Sequence, residues 1–307
     1  MSNPWTAPVS ICKRPPIMDA TTTVRPDRPS NDDRFRDPFF ARFKLRPAPA
    51  PLDLGDGIVK RYPFPTLYHD VGCAIGIFMC DYGAARALMP DPKIVPVRMP
   101  RGRSLVIFSC YEYRHVLQVW PYNEIAMTVP VLANPRLAPP VLPMLASGLF
   151  PRFGYYVFGM PVTSKENQIR GNKIWGLPKV TQPIDIERRG ADCVTTAREA
   201  DGTAYLELTI PTTGTPTDFD VEGHLYSKLD GRILKSRTCF KGAFAVTKHM
   251  KALWRRDLAP DREYLKLGPG PSAQPLRDLG IEGQPFQTRY TPGMNAAFDL
   301  PIEGFAL

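Results

Sequence analysis

Two Asp-Gly dipeptides, Asp201-Gly202 and Asp230-Gly231, each sit between runs of strand-forming residues, and this pattern constrains the fold more than any other feature. It predicts two hairpins, Cys193 to Ala200 with Ala204 to Ile210 and His224 to Leu229 with Ile233 to Cys239. The rest of the chain after Tyr62 reads the same way, as short apolar runs cut by Gly, Pro and Asp. Strands are expected at Val71 to Cys80, Ser104 to Val116, Tyr122 to Leu132, Arg152 to Val162, Lys179 to Arg188 and Pro285 to Phe298. Helical signals are few. Asp81 caps a short helix that stops at Pro90, and Ala273 to Leu279 forms a helical turn closed by Gly280. Ser164 to Arg170 reads as a polar connection. Roughly ten strands with so few helices imply a mainly β (α+β) protein, an antiparallel β-barrel or cone with an interior able to hold a ligand.

The first 55 residues differ, with ten of the chain's 35 prolines and no periodicity, and are read as a Pro-rich N-terminal arm ahead of one domain spanning 56–307. Within the arm, Asp37 to Phe43 carries three phenylalanines suited to docking on the body or on a neighbouring subunit. No run of about 18 uncharged apolar residues occurs and Met1 to Ser10 lacks a signal-peptide pattern, so a soluble protein with no membrane partner is expected. Six scattered cysteines without Cys-x-x-Cys spacing read as reduced thiols of a cytoplasmic protein. The four histidines form no metal or triad motif, so neither metal nor cofactor is expected. The net charge of +9 arises from 39 basic residues interleaved with 30 acidic ones, which speaks against nucleic acid and leaves anionic metabolites as compatible partners.

Dinucleotide, Walker and nucleophile-elbow motifs are absent. What stands out instead is Gly171-Asn172-Lys173-Ile174-Trp175-Gly176-Leu177-Pro178-Lys179-Val180, which sets a lysine after a proline among apolar residues. An ordinary lysine, with a pKa of about 10.4, is protonated at neutral pH and cannot attack a carbonyl. Burial beside Trp175, Leu177 and Val180 would penalise the ammonium form and release an amine able to make an imine with a ketone.

That stretch resembles the acetoacetate decarboxylase-like superfamily, whose active-site segment runs Gly-Arg-Glu-hydrophobic-x-x-aromatic-Pro-Lys-Lys. Pro121-Tyr122-Asn123-Glu124-Ile125 with Val129-Pro130 is similar to the strand bearing the family's glutamate, Asp81 to Pro90 to its first helix, and Gln274 to Gly280 to its last. The resemblance covers about residues 60 to 302. It implies a barrel-like fold with a hydrophobic pocket, Lys179 as an imine-forming lysine, and a homo-oligomer. In this frame Glu124 orients groups or moves protons, and Tyr290, in the last strand, is a weaker proton donor. Arg170 is placed to grip a substrate carboxylate, and Tyr122, Trp175 and Leu177 form the pocket wall.

This chain departs from the family pattern at informative places. Val180 replaces the second lysine, Asn172-Lys173 replaces Arg-Glu, and no arginine lies between Tyr62 and Cys80. Desolvation is then the main means of lowering the lysine's pKa, with Lys173 a secondary source of charge if it turns inward. The expected activity is a Schiff-base carbon-carbon lyase on a small oxo acid, of decarboxylase type by resemblance. An aldolase-dehydratase or cyclase acting on a 2-oxo acid or polyketide-like ketone, and a non-catalytic barrel that binds an apolar ligand, remain as alternatives.

Overall fold

A computed structural model describes residues 34–256 and 258–307; the reading of the arm before residue 34, including Cys12, falls outside them. The expected mainly β architecture is the one that forms, at 52% strand and 15% helix, so strands build the wall and helices only close gaps in it.

The principal elements begin with β1 (Thr66–Asp81), α1 (Tyr82–Ala87), β2 (Arg103–Val116), β3 (Tyr122–Ala133) and β4 (Phe153–Val162). They continue with α2 (Lys165–Trp175), β5 (Lys179–Thr181), β6 (Ile184–Arg189), β7 (Asp192–Arg198) and β8 (Ala204–Pro211). The last are β9 (Thr215–Leu229), β10 (Arg232–Lys248), β11 (Leu265–Leu267), α3 (Gln274–Asp278) and β12 (Pro285–Pro301). Seven strands close a barrel in the order β4-β9-β10-β12-β1-β2-β3, sealed by β3 pairing back onto β4. Strands β6, β7, β8 and β11 form a separate four-stranded sheet.

Strand alternation divides the apolar residues into two layers. Cys73, Ile75 and Ile77 of β1 with Tyr113, Tyr122, Ala126 and Val246 belong to the barrel interior. Their neighbours Ala74, Phe78, Cys110, Ile125 and Met127 face outward and pack with Cys193, Leu206, Leu208 and Ile210 of the four-stranded sheet. The barrel wall is therefore apolar on both faces, and strands such as β1 and β3 read as nearly continuous apolar runs.

Both predicted hairpins form, β7 with β8 and β9 with β10. The second is much longer than expected, and its turn places Asp230 at φ 49° and Gly231 at φ 77°, left-handed conformations that Asp-Gly tolerates. Two readings are corrected. Ser164 to Arg170 is not an open connection: Ser164 accepts a hydrogen bond from the Asn167 amide as N-cap, and the helix α2 runs on through Trp175. Lys179 to Arg188 is not one strand either. The chain breaks at Gln182-Pro183, where proline lacks a ladder donor, so β5 joins the barrel beside β4 while β6 joins the other sheet.

The described part of the arm packs on the barrel. Phe39 and Phe40 are buried against Leu67, Leu117 and Ala297, and Arg42 pairs with Asp220 on β9. Among the described residues no helix is long and apolar enough to cross a membrane.

Candidate active site

Helix α2 delivers the lysine. It ends at Gly176, whose φ of 59° lets the chain reverse, and the Leu177 amide reaches back to the Gly171 carbonyl. Pro178 prevents the helix from resuming, and Lys179 enters β5 opposite Met160 of β4. The Asn172 side chain accepts a hydrogen bond from the Lys179 amide at 3.1 Å. Gly171 leaves room for the lysine stem: a Cβ there would stand 2.7 Å from Lys179 Cε and 2.8 Å from Cγ, with Cδ closer still.

The side chain of Lys179 is buried, 7% exposed, and its Nζ lies 2.5 Å from Glu124 Oε2 on β3. Glu124 is itself buried, and its Oε1 accepts from the Tyr113 hydroxyl at 3.4 Å. Tyr122 presents its ring 5.7 Å from Nζ. The Tyr113 ring packs on Tyr68, Tyr111 and Tyr122, so an aromatic wall surrounds the lysine and glutamate. Burial holds the Tyr113 and Tyr122 phenols well above their usual range, so both serve as neutral hydrogen-bonding groups at physiological pH.

Burial pushes the Lys179 ammonium below its ordinary value, Glu124 pulls it back, and Arg170 adds to the depression. Desolvation is the largest of these effects, so the neutral amine is reached more readily than in a solvated lysine. Arg170 is fully buried, with Nη1 donating to Asn167 Oδ1 at 3.0 Å and Nη2 to Thr66 Oγ1 at 2.9 Å. Its guanidinium sits 4.3 Å from the ring of Tyr62, and its Nε has no hydrogen-bond partner among the described residues. Each Nη spends one N–H inside the protein, and the guanidinium adds a positive charge close enough to lower the Lys179 pKa.

Other expected residues are distributed unevenly. Leu177 and Trp175 are buried in the interior cluster, and Trp175 also anchors α2, stacking on Phe298 and donating to the Asp299 carbonyl at 2.8 Å. Val180 is 52% exposed and points away from the barrel, so it contributes nothing to the desolvation expected of it. Lys173 also stays outside, with Nζ donating to the Asp53 carbonyl. Tyr290 does not join the group. It pairs with Ala74 and lies in the outer layer, within electrostatic range of Cys193, Arg188, Arg114 and Glu112.

Sequence reasoning missed Tyr113, Tyr68 and Glu166. Tyr113 and Tyr111 were detectable as alternate positions on the strand facing Glu124. Glu166 is buried in α2, accepting from Tyr62 at 2.5 Å and pairing with Lys60 at 3.0 Å, and nothing in the local sequence distinguishes it from a solvated helix residue. A surface cleft of about 360 Å³ lined by Arg46, Arg61 and Pro63 shares Tyr62 with this region but contains neither Lys179 nor Glu124. Among the described residues no cluster of histidine, cysteine and carboxylate side chains is suited to a metal ion.

A buried neutral amine touching a carboxylate can add to a carbonyl while the carboxylate relays protons. Comparison with known proteins bears on the family and the fold. The family model described as acetoacetate decarboxylase (ADC) matches residues 47–240. No curated protein matches the sequence at a significant level. Among solved structures, acetoacetate decarboxylase from Legionella pneumophila is 13% identical with a TM-score of 0.53, covering 77% of this chain and 86% of that one. Another acetoacetate decarboxylase is 16% identical with a TM-score of 0.52, over 77% of this chain and 87% of that one. The enduracididine biosynthesis enzyme MppR, in complex with pyruvate, is 11% identical with a TM-score of 0.53, over 77% and 88%. At such identities these structures speak for the fold, while the family match covers well over half the sequence and supports an enzyme. The chain belongs to the acetoacetate decarboxylase family.

Proposed function

We propose that Lys179 is an imine-forming nucleophile and that the protein is a Schiff-base lyase acting on a small oxo acid. The observation that carries this reading is the buried contact of Lys179 Nζ with Glu124 Oε2 at 2.5 Å. The amine adds to the ketone carbon, the carbonyl oxygen takes up protons and leaves as water, and Glu124 is placed to supply or accept the proton at nitrogen. The protonated imine then draws an electron pair from an adjacent bond. Loss of carbon dioxide from a 3-oxo acid leaves an enamine, which is protonated at carbon and hydrolysed to free the lysine.

A second outcome of the same imine is favoured by the likeness to MppR bound to pyruvate. In a 2-oxo acid the electron pair comes from an α C–H bond, the proton passes to Glu124, and the enamine carbon attacks an aldehyde. Dehydration of that aldol gives an unsaturated oxo acid. The two outcomes share every residue placed here and differ in which bond breaks.

Proton NMR of the protein with acetoacetate, with pyruvate, and with pyruvate plus an aldehyde separates them. Acetone and carbon dioxide from the first mark a decarboxylase; deuterium entry into the pyruvate methyl group and a condensation product mark the aldol route. Exchange of the ketone oxygen with ¹⁸O-water should accompany either and vanish in Lys179→Ala. Turnover that persists in Lys179→Ala rules the imine out.

A further inference from the structure

On a helix, a glutamate and an arginine four positions later make a ready ion pair. Helix α2 offers that spacing in Glu166 and Arg170, and the fold does not use it. Glu166 pairs instead with Lys60 at 3.0 Å and accepts from the Tyr62 hydroxyl at 2.5 Å. Arg170 is left 1% exposed, with no carboxylate in hydrogen-bond contact among the described residues. Its hydrogen bonds go to the uncharged side chains of Asn167 and Thr66, which take one N–H from each Nη. A guanidinium has five N–H groups, so the second hydrogen on each Nη and the one on Nε find no acceptor among the described residues. A buried cation with three idle donors is costly, and an anion placed on it removes that cost.

Arg170 belongs to the site of the lysine. It directly precedes Gly171, against whose α-carbon the Lys179 stem packs. Its positive charge acts on Lys179 itself and on Tyr122 and Tyr68, and the Tyr122 ring lies 5.7 Å from Lys179 Nζ. Contacts close the circuit on the other side. Thr66, which receives Nη2, shares a face of β1 with Tyr68. The Tyr68 ring packs on that of Tyr113, 4.6 Å between centroids, and the Tyr113 hydroxyl donates to Glu124, the partner of Lys179.

We infer that Arg170 is the specificity-determining residue of this site, its idle N–H groups receiving the carboxylate of an oxo acid whose ketone carbon is attacked by Lys179. The inference rests on the imine reading of Lys179. A charge count supports the substrate class. When the C–N bond has formed and the carbonyl oxygen has left as water, the protonated imine and Arg170 are two positive charges against the single negative charge of Glu124. A neutral ketone leaves that excess inside an apolar interior, and an oxo acid cancels it. The balance survives both outcomes of the imine. Loss of carbon dioxide removes the carboxylate charge as its electron pair neutralises the imine nitrogen, leaving Arg170 and Glu124 matched. Transfer of an α-proton to Glu124 neutralises both the imine and Glu124, leaving Arg170 matched by the substrate carboxylate. Arg170 therefore selects an anionic ketone over a neutral one without choosing which bond breaks.

Reductive trapping by borohydride, read as the concentration giving half-maximal labelling of Lys179, tests this with each acid set against its own neutral amide: pyruvate with pyruvamide, and acetoacetate with acetoacetamide. At least one acid should label the wild-type protein at concentrations on the order of 10- to 100-fold below its amide. In Arg170→Gln that ratio should fall to about one, with Arg170→Lys keeping part of the preference because it keeps the charge. A change in the titration of Lys179 alters acid and amide alike, so a role of Arg170 confined to that lysine leaves the ratio where it was. Thermal melts check that both variants fold. Should glutamine not fold, Arg170→Lys carries the test, and an undiminished ratio there overturns the proposal. Equal labelling by acid and amide in the wild type, or an unchanged ratio in folded Arg170→Gln, overturns it too. If no compound labels Lys179, the imine reading fails by itself, and calorimetric titration of pyruvate and of acetoacetate into Lys179→Ala, with and without Arg170→Gln, still decides the anion site. Binding lost on the second substitution supports that site, and absent or unaltered binding overturns it.

Discussion

Gly171→Ala separates the position of the lysine from the stability of the fold. The new methyl carbon would stand 2.7 Å from Lys179 Cε and 2.8 Å from Cγ. Non-bonded carbons settle at about 3.5 Å or beyond, so the stem must retreat by about 1 Å. Helix α2 is less free to move, because Trp175 is anchored on Asp299 and Gly176 abuts the backbone of Lys228. The energetic terms oppose each other: alanine is preferred to glycine in a helix by about 1 kcal/mol, while overpacking costs about 1–3 kcal/mol. A net loss of about 0–2 kcal/mol leaves the protein folded. Chemistry is far less tolerant, since a displacement of about 1 Å at a reacting group costs on the order of 100-fold in rate. The assay pairs a thermal melt with the initial rate of borohydride trapping by a saturating oxo acid. A folded Gly171→Ala protein that traps at the wild-type rate would refute the claim that this close approach positions Lys179.

Glu124→Gln removes the carboxylate that favours the ammonium form, so Lys179 titrates lower still and the rise of trapping with pH moves toward acid. Turnover should nevertheless fall by on the order of 10²- to 10⁴-fold for want of a proton relay, and unimpaired turnover would remove Glu124 from the mechanism. Arg170→Gln acts in the opposite direction. Losing the cation lets Lys179 titrate higher, so the trapping profile should move to higher pH, and a profile that stays in place counts against Arg170 as an electrostatic partner. The depressed lysine pKa also bears on stability. Between its folded value and the unfolded value of about 10.4 the unfolded chain binds more protons, so stability should rise with pH across that window, and by less in Lys179→Met. Tyr290→Phe should leave turnover within about twofold, because its hydroxyl lies in the outer layer; a larger loss in kcat would place it at the site after all.

The strands and hairpins were legible because their signals are local: Asp-Gly turns, proline stops and period-two alternation each act within a few residues. Lys179 and Glu124 were legible through motif order, and β5 and β3 bring them into contact. What escaped was decided by tertiary partners. Ser164 to Arg170 looked like a polar connection because its polar residues are buried by distant groups, Glu166 by Tyr62 and Lys60, and Arg170 by Thr66 and Tyr62. Val180 and Tyr290 were placed on the wrong side of their strands because a one-residue step reverses the face, and no sequence signal sets which face is inward when both are apolar. The cation that depresses Lys179 was sought beside it in sequence and comes instead from Arg170, nine positions earlier on the helix.

The central claim is that Lys179 attacks a ketone as a neutral, buried amine. Reducing the protein with borohydride at neutral pH in the presence of pyruvate or acetoacetate, then mapping the modified peptide by mass spectrometry, tests it most directly. A single adduct on Lys179, absent from Lys179→Ala and growing as pH rises, is the expected result. No adduct with any oxo acid, or labelling confined to exposed lysines such as Lys173, would contradict it.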